Sequence, residues 1–91
     1  MIIITRHKGI IEFLAQHNIT GEVITHVENI EQIAGKDVCG ILPIVMAAHT
    51  NSITTIGFTH LPEEMRGKEL TLEQMHKYGA YLEKFQVVKL S

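Results

Sequence analysis

The chain has 91 residues, with 8 Lys and Arg against 10 Asp and Glu, a formal net charge of -2, and 45% hydrophobic residues. Its apolar content excludes low-complexity disorder, its single cysteine excludes a disulfide scaffold, and its near-neutral charge excludes the dense positive surface that long nucleic acids and anionic membranes require. One domain is expected, burying only ~65% of its unfolded surface, so a homodimer would supply area that a core this small lacks. No apolar run approaches the ~20 residues that span a bilayer. Met1 to Ile4 is cut off by Arg6, His7 and Lys8, the reverse of an export signal's charged-then-apolar order. With one thiol, reducing cytoplasm is the expected location.

In chain order, the β-branched runs Ile2–Thr5, Val23–Thr25, Val38–Leu42, Ile53–Phe58 and Phe85–Val88 predict five short, buried strands. Between them, Ile10, Phe13, Leu14 and His17 share one face of a helix from about His7 to His17. A single helical turn is expected near Glu28–Ile33, a second helix over Val45–His49, and a third carrying Leu72, Met75, Gly79 and Leu82. The third has the clearest start: Thr71 and Gln74 have capping-box spacing, and Leu70 can staple onto Met75. Asn18 to Gly21 closes the first helix, and Ala34 to Asp37 turns the chain into the third strand. Strands separated by helices predict a small α/β three-layer domain, Rossmann-like or flavodoxin-like, with a mainly parallel five-stranded sheet.

In such a fold, ligands sit beyond the carboxyl ends of the strands where the strand order reverses. Three segments fall at that edge. Thr5-Arg6-His7-Lys8-Gly9 runs from a strand end into a helix start, where backbone N–H groups suit a phosphate and Gly9 permits close approach. Gly40-Ile41-Leu42-Pro43 follows, with Pro43 placed to open a helix. The polar stretch from His60 to Lys68 could fold over the crevice. The glycine patterns of a P-loop or a dinucleotide fingerprint are absent, and so is a nucleophile elbow before a helix.

The only two arginines, Arg6 and Arg66, both lie in these edge segments. Two guanidinium forks on phosphate are one reading. The other is that Arg6 caps a carbonyl or pairs with Glu63, Glu64 or Glu69, and that Arg66 is a solvated loop charge. His7 sits where a helix dipole favours an imidazole that accepts a proton over one that carries charge, although a simple capping or packing role is the more ordinary reading of its place. His7, His26 and His60 can each lie near a strand's carboxyl end, but no pair has the HxxH or HExxH spacing of a metal site, and none is expected. His17, His49 and His76 read as helix boundary residues, Cys39 as inert core, and Met46, Met65 and Met75 as filler.

Three stretches together, Ile4-Thr5-Arg6-His7-Lys8-Gly9, Asp37-Val38-Cys39-Gly40-Ile41-Leu42-Pro43 and Pro62-Glu63-Glu64-Met65-Arg66-Gly67-Lys68-Glu69-Leu70, resemble a small CRISPR-associated accessory family of type III loci, over almost the whole chain and in the same order. The resemblance implies a Rossmann-like fold related to cyclic-oligoadenylate sensor domains. It also implies a ring nuclease that binds cyclic tetra-adenylate and opens it to switch type III signalling off. Ile44-Val45-Met46 and His49-Thr50 depart from the family's pattern in the helix after Pro43. On this reading the ribose 2'-hydroxyl attacks the adjacent phosphodiester without metal or other cofactor. Arg6 stabilises charge, His7 carries the proton, and Thr5, Lys8, Gly9, Leu42, Pro43, His60 and Arg66 contact the ligand. The alternative is a cyclic-oligoadenylate binding protein, sponge or sensor, that does not cut. A two-fold homodimer would match a four-phosphate ring.

Overall fold

A computed structural model describes residues 1–91. The chain forms β1 (Ile2–Ile4), α1 (Lys8–Gln16), β2 (Glu22–Ile24), a 3-10 turn (Ile30–Gln32), β3 (Asp37–Cys39), α2 (Ile44–Ala47), β4 (Ser52–Phe58), a second 3-10 turn (Glu63–Met65), α3 (Leu72–Lys77) and β5 (Ala80–Phe85). One sheet runs in the order β2-β1-β3-β4-β5, parallel from β2 through β4, with β5 antiparallel to β4. No helix is long and apolar enough to cross a membrane.

Alternation along β1 builds the two cores. Ile2 joins Ile33 and Val38 on one face, under the Ile30–Gln32 turn and α2. Ile3 joins Leu14 and Cys39 on the other, under α1. Leu14, Ile33 and Val38 are fully buried, and burying each such side chain contributes ~1.5–3 kcal/mol. Beside α1 packs α3, where the Phe13 ring lies 4.6 Å from His17 and 5.7 Å from His76 between centroids. The expected mainly parallel five-stranded sheet is therefore present as a small α/β domain, but only its central strands are buried: β2 and β5, expected to be buried, are edge strands and largely exposed.

Four elements end or begin elsewhere than expected. The third strand stops at Cys39, because Gly40 turns the chain at φ 149° and leaves Ile41 in solvent. The second helix is only Ile44–Ala47, with Pro43 just before its first residue and accepting from the N–H groups of Met46 and Ala47. The third helix keeps its predicted start: Thr71 Oγ1 accepts from the Gln74 N–H at 3.2 Å, and Gln74 Oε1 accepts from the Thr71 N–H at 3.0 Å. It ends at Lys77, however. Gly79, at φ 69°, breaks it at a place where a Cβ would collide with the Thr59 hydroxyl. Leu82 thus belongs to β5, not α3, and the last strand is Ala80–Phe85 instead of Phe85–Val88. Spacing of three and four residues concealed a glycine stop followed by a hairpin return.

At the amino-terminal edge, Asp37 accepts from Ser52 Oγ at 2.6 Å and Asn51 Nδ2 at 2.7 Å, tying β3 to the start of β4. These bonds hold its carboxyl below the ordinary carboxylate value. A pKa depressed in the folded state stabilises fully above the unfolded value of ~3.9, and this stabilisation is lost as pH falls through the lower folded value. Asp37→Asn should therefore lower the melting temperature at neutral pH, and the gap from wild type should close below about pH 4. Thermal unfolding of both proteins across that range checks this; a gap independent of pH would remove the carboxylate's charge from the account.

Candidate functional site

The sheet's order reverses between β1 and β3: from β1 the chain moves outward to β2, then returns past β1 to β3. Chain leaving β1 enters α1 on one face, and chain leaving β3 enters α2 on the other. The gap between them at the carboxyl ends is a cavity of about 390 Å³. Its floor includes Ile4, Cys39 and Ile56, its walls Ile10, Phe58, Leu61 and Met65, and its polar members are Thr5, Arg6, His7, Thr25 and Lys68. No carboxylate lines it. In a chain of net charge -2, two cations therefore share a crevice whose other lining is apolar but for Thr5, His7 and Thr25.

Of the residues expected at the site, the structure brings Thr5, Arg6 and His7 together in this lining. Thr5 is buried; its Oγ1 accepts from the His7 N–H at 3.1 Å, so its oxygen holds the turn from β1 into α1. Arg6 is exposed and forms no ion pair with Glu63, Glu64 or Glu69, which leaves its guanidinium free for a ligand. His7 precedes the first residue of α1, and its carbonyl accepts from the N–H groups of Ile10 and Ile11. Its Nδ1 is buried without a hydrogen-bond partner and lies 3.9 Å from Glu69 Oε1. The side chain as a whole is 43% exposed, so Nε2 is the nitrogen on the open side.

The other expected residues lie outside the lining. Lys8 is an exposed first-turn residue of α1. Leu42 packs into the core beneath α2, and Pro43 precedes that helix. His60 is occupied structurally, with Nε2 2.6 Å from the Lys77 carbonyl oxygen and Nδ1 2.8 Å from the Thr59 hydroxyl. Arg66 closes the 3-10 turn at Glu63–Met65 and projects into solvent, while Lys68, two residues on, reaches the cavity. Gly9 does allow a close approach, but to protein: a Cβ there would collide with the carbonyl oxygen of Leu70. The loop before α3 is thus seated on the first turn of α1, and the stretch expected to fold over the crevice forms its wall through Leu61, Met65, Lys68 and Leu70.

Thr25 and Phe58 were missed, and Ile41 and Lys68, though inside two of the edge segments, were not singled out as lining the site. Each follows or ends a strand on the carboxyl side, or lies in the loop that comes after β4, and strand polarity is the signal that could have found them. Cys39, in the floor, is 2% exposed, and burial pushes its thiol above the ordinary value, so it stays protonated at neutral pH. No group of three or more His, Cys, Asp or Glu side chains is placed to hold a metal ion.

Compared with known proteins, the chain matches over residues 2–88 the family described as "Putative CRISPR-associated protein (Cas_VVA1548)". No curated protein and no solved structure matches it.

The contact of Gly9 with Leu70 can be tested without any ligand. Gly9→Ala should destabilise the protein by ~1–3 kcal/mol, the scale of overpacking, because neither the helix backbone nor the Leu70 carbonyl can yield independently. Denaturant unfolding measures it, and a midpoint equal to wild type would mean that the loop is not seated on α1.

Proposed function

The chain belongs to this family of CRISPR-associated proteins, and on that premise we propose that it is a ring nuclease that binds cyclic tetra-adenylate and opens it, ending type III signalling. The observation that carries the reading is the cavity itself: apolar walls that suit a nucleobase, Arg6 and Lys68 for phosphate, and no carboxylate to repel it. The domain is read as Rossmann-like, supported by the strand order and the crevice at its reversal; the antiparallel β5 is an addition at one edge.

The reaction needs no nucleophile from the protein. The 2'-oxygen of one ribose forms a bond to the phosphorus of its own 3'-phosphodiester, and the bond from phosphorus to the next ribose's 5'-oxygen breaks. The products are a 2',3'-cyclic phosphate and a 5'-hydroxyl. Fixing the ribose so that entering and leaving oxygens are in line can supply ~7–11 kcal/mol of the barrier in favourable cases. Arg6 stabilises the charge gathering on the phosphoryl oxygens, helped by the amino-terminal end of α1. His7 Nε2, on the open side of the ring, takes the 2'-hydroxyl proton, and the imidazolium so formed returns it, through solvent water at the crevice mouth, to the leaving 5'-oxygen. Glu69, 3.9 Å from Nδ1, favours the tautomer that leaves Nε2 as the acceptor. The loop that carries Glu69 is the one seated on Gly9.

A protein that holds the ring without cutting it would use the same crevice, and separation of linear products from intact ring decides between the two. In that assay Arg6→Ala should keep the fold, since its exposed side chain packs against no core, and should lower ring opening by ~10²-fold or more. Undiminished turnover would move charge stabilisation to another group. Because the substrate brings its own nucleophile and no donor cluster for a metal exists, cleavage should continue in chelator. It should stop when every 2'-hydroxyl is methylated, even where the methylated ring still raises the melting temperature by binding. Loss of activity in chelator with recovery on added manganese, or cutting of the methylated ring, would make metal-activated water the nucleophile.

A further inference from the structure

On the β2 side of the cavity three side chains form a row that the chemistry above does not use. Thr25 directly follows β2 and lines the cavity; its Oγ1 lies 3.3 Å from His26 Nδ1, and His26 Nε2 lies 3.4 Å from Glu28 Oε1. The backbone under this row is held on both sides. The Thr5 N–H donates to the Ile24 carbonyl at 3.0 Å, Ile24 and Val27 pack against the core, and Gln32 Oε1 accepts from the Glu28 N–H at 2.6 Å and the Asn29 N–H at 3.1 Å. The order of the three residues is therefore fixed by main-chain contacts, although their side chains reach solvent.

A threonine hydroxyl both donates and accepts, so alone it cannot tell a donor from an acceptor. The two neighbours remove that freedom. A neutral imidazole carries one ring proton, and the Glu28 carboxylate draws it to Nε2. Nδ1 is then an acceptor, the Thr25 hydroxyl donates its one proton to it, and the lone pairs of Oγ1 are what remain for the cavity. The other polar side chains of the lining do not offer this. Arg6 and Lys68 only donate, Thr5 Oγ1 already accepts from the His7 N–H, and His7 Nε2 serves the 2'-hydroxyl.

We infer that Thr25, set as an acceptor by His26 and Glu28, receives the exocyclic amine of an adenine base and so selects adenylate rings over rings whose base carries a carbonyl there. This inference rests on the proposed function, and the choice of group follows from the donors a nucleotide has. In a 3',5'-linked ring both of those ribose oxygens are esterified, and the 2'-hydroxyl gives its proton to His7. The base amine is the one donor left. A hypoxanthine base puts a carbonyl oxygen in its place, so two acceptors would face each other. Reversing the Thr25 hydroxyl to meet it would require the His26 ring proton to leave Glu28 for Nδ1.

The test compares cyclic tetra-adenylate with its inosine counterpart on the full chain at about pH 8, above the ordinary imidazole range. Ring opening is read as kcat and KM, and binding as a shift in melting temperature. Wild type should favour the adenine ring by ~10-fold or more in kcat/KM, with the difference carried by KM. Thr25→Val, an isostere at an exposed position, should lose that preference, and Thr25→Ser should keep it. His26→Phe should also lose it while still binding the adenine ring, because a freed hydroxyl donates to the carbonyl as readily as it accepts from the amine. A merely structural role would not change preference without loss of binding. Equal handling of the two rings by wild type, or a preference that survives Thr25→Val, would overturn the inference. A Thr25→Val that weakens both rings alike would overturn it too, since Thr25 would then serve the ribose or phosphate they share. A preference lost with Thr25→Val but kept with His26→Phe would remove His26 and Glu28 from it. Binding with the stated preference but no opening of either ring would support base selection and sink the nuclease reading. A wild type that neither binds nor opens either ring would sink the ring-binding reading itself.

Discussion

The site exists because β1 is buried on both faces. Three consecutive isoleucines place Ile2 in one core and Ile3 in the other, with parallel neighbours on each side, so no part of β1 can be left without a covering helix or turn. Covering both faces forces the chain to leave β1 and β3 in opposite directions. At their carboxyl ends the two departures open a gap that the backbone cannot fill. Arg6 and His7 are the first side chains past the end of β1, so their position over the gap follows from how the strand is buried, not from packing of their own.

A second constraint sets the shape of the gap. Between β4 and α3 lie thirteen residues of loop and turn, which would remain an open flap if nothing held them. Two devices do: the reciprocal bonds of Thr71 and Gln74 fix where α3 begins, and the bare backbone of Gly9 lets the Leu70 carbonyl rest on the first turn of α1. Lys68 and Glu69 are thereby delivered to the same end of α1 that carries His7. Local capping, close packing and placement of charge are one continuous cause here.

The sheet's centre was readable because β1 and β4 are rich in β-branched side chains and, with β3, largely buried, and β1 and β4 fall within a residue of where those runs lie, whereas β5, Ala80–Phe85, carries no β-branched residue and was not. What was hidden had specific reasons. Leu82 sits at helical spacing from Met75, and nothing in a periodicity count distinguishes a helix that continues from one that stops at Gly79 and returns as a strand. At the site, a residue adjacent to a strand end could be placed, hence Thr5, Arg6 and His7. A residue in the loop before α3 could not: Arg66 was favoured over Lys68 by its guanidinium, yet which of the two reaches the cavity depends on a turn at Gly67, φ 78°, and on the Leu70 contact across about sixty residues of sequence. Gly9 was found for the wrong partner, since a glycine admits any backbone or ligand that comes close.

The chemistry that such a cavity favours follows from what it lacks. Apolar walls lower the local dielectric and strengthen every electrostatic contact inside, which makes an unpaired cation costly unless a ligand's negative charge arrives to meet it. Arg6 and Lys68 remain at the rim, where water can solvate them until that happens. On the proposed reading, a phosphodiester entering the crevice would gain most from the rim and its base from the floor, and the two demands would orient the ribose between them. Orientation is what a substrate carrying its own 2'-nucleophile requires. With His7 the one histidine lining the crevice, that reading leaves most of the barrier to be lowered by geometry, the ribose being held between rim and floor.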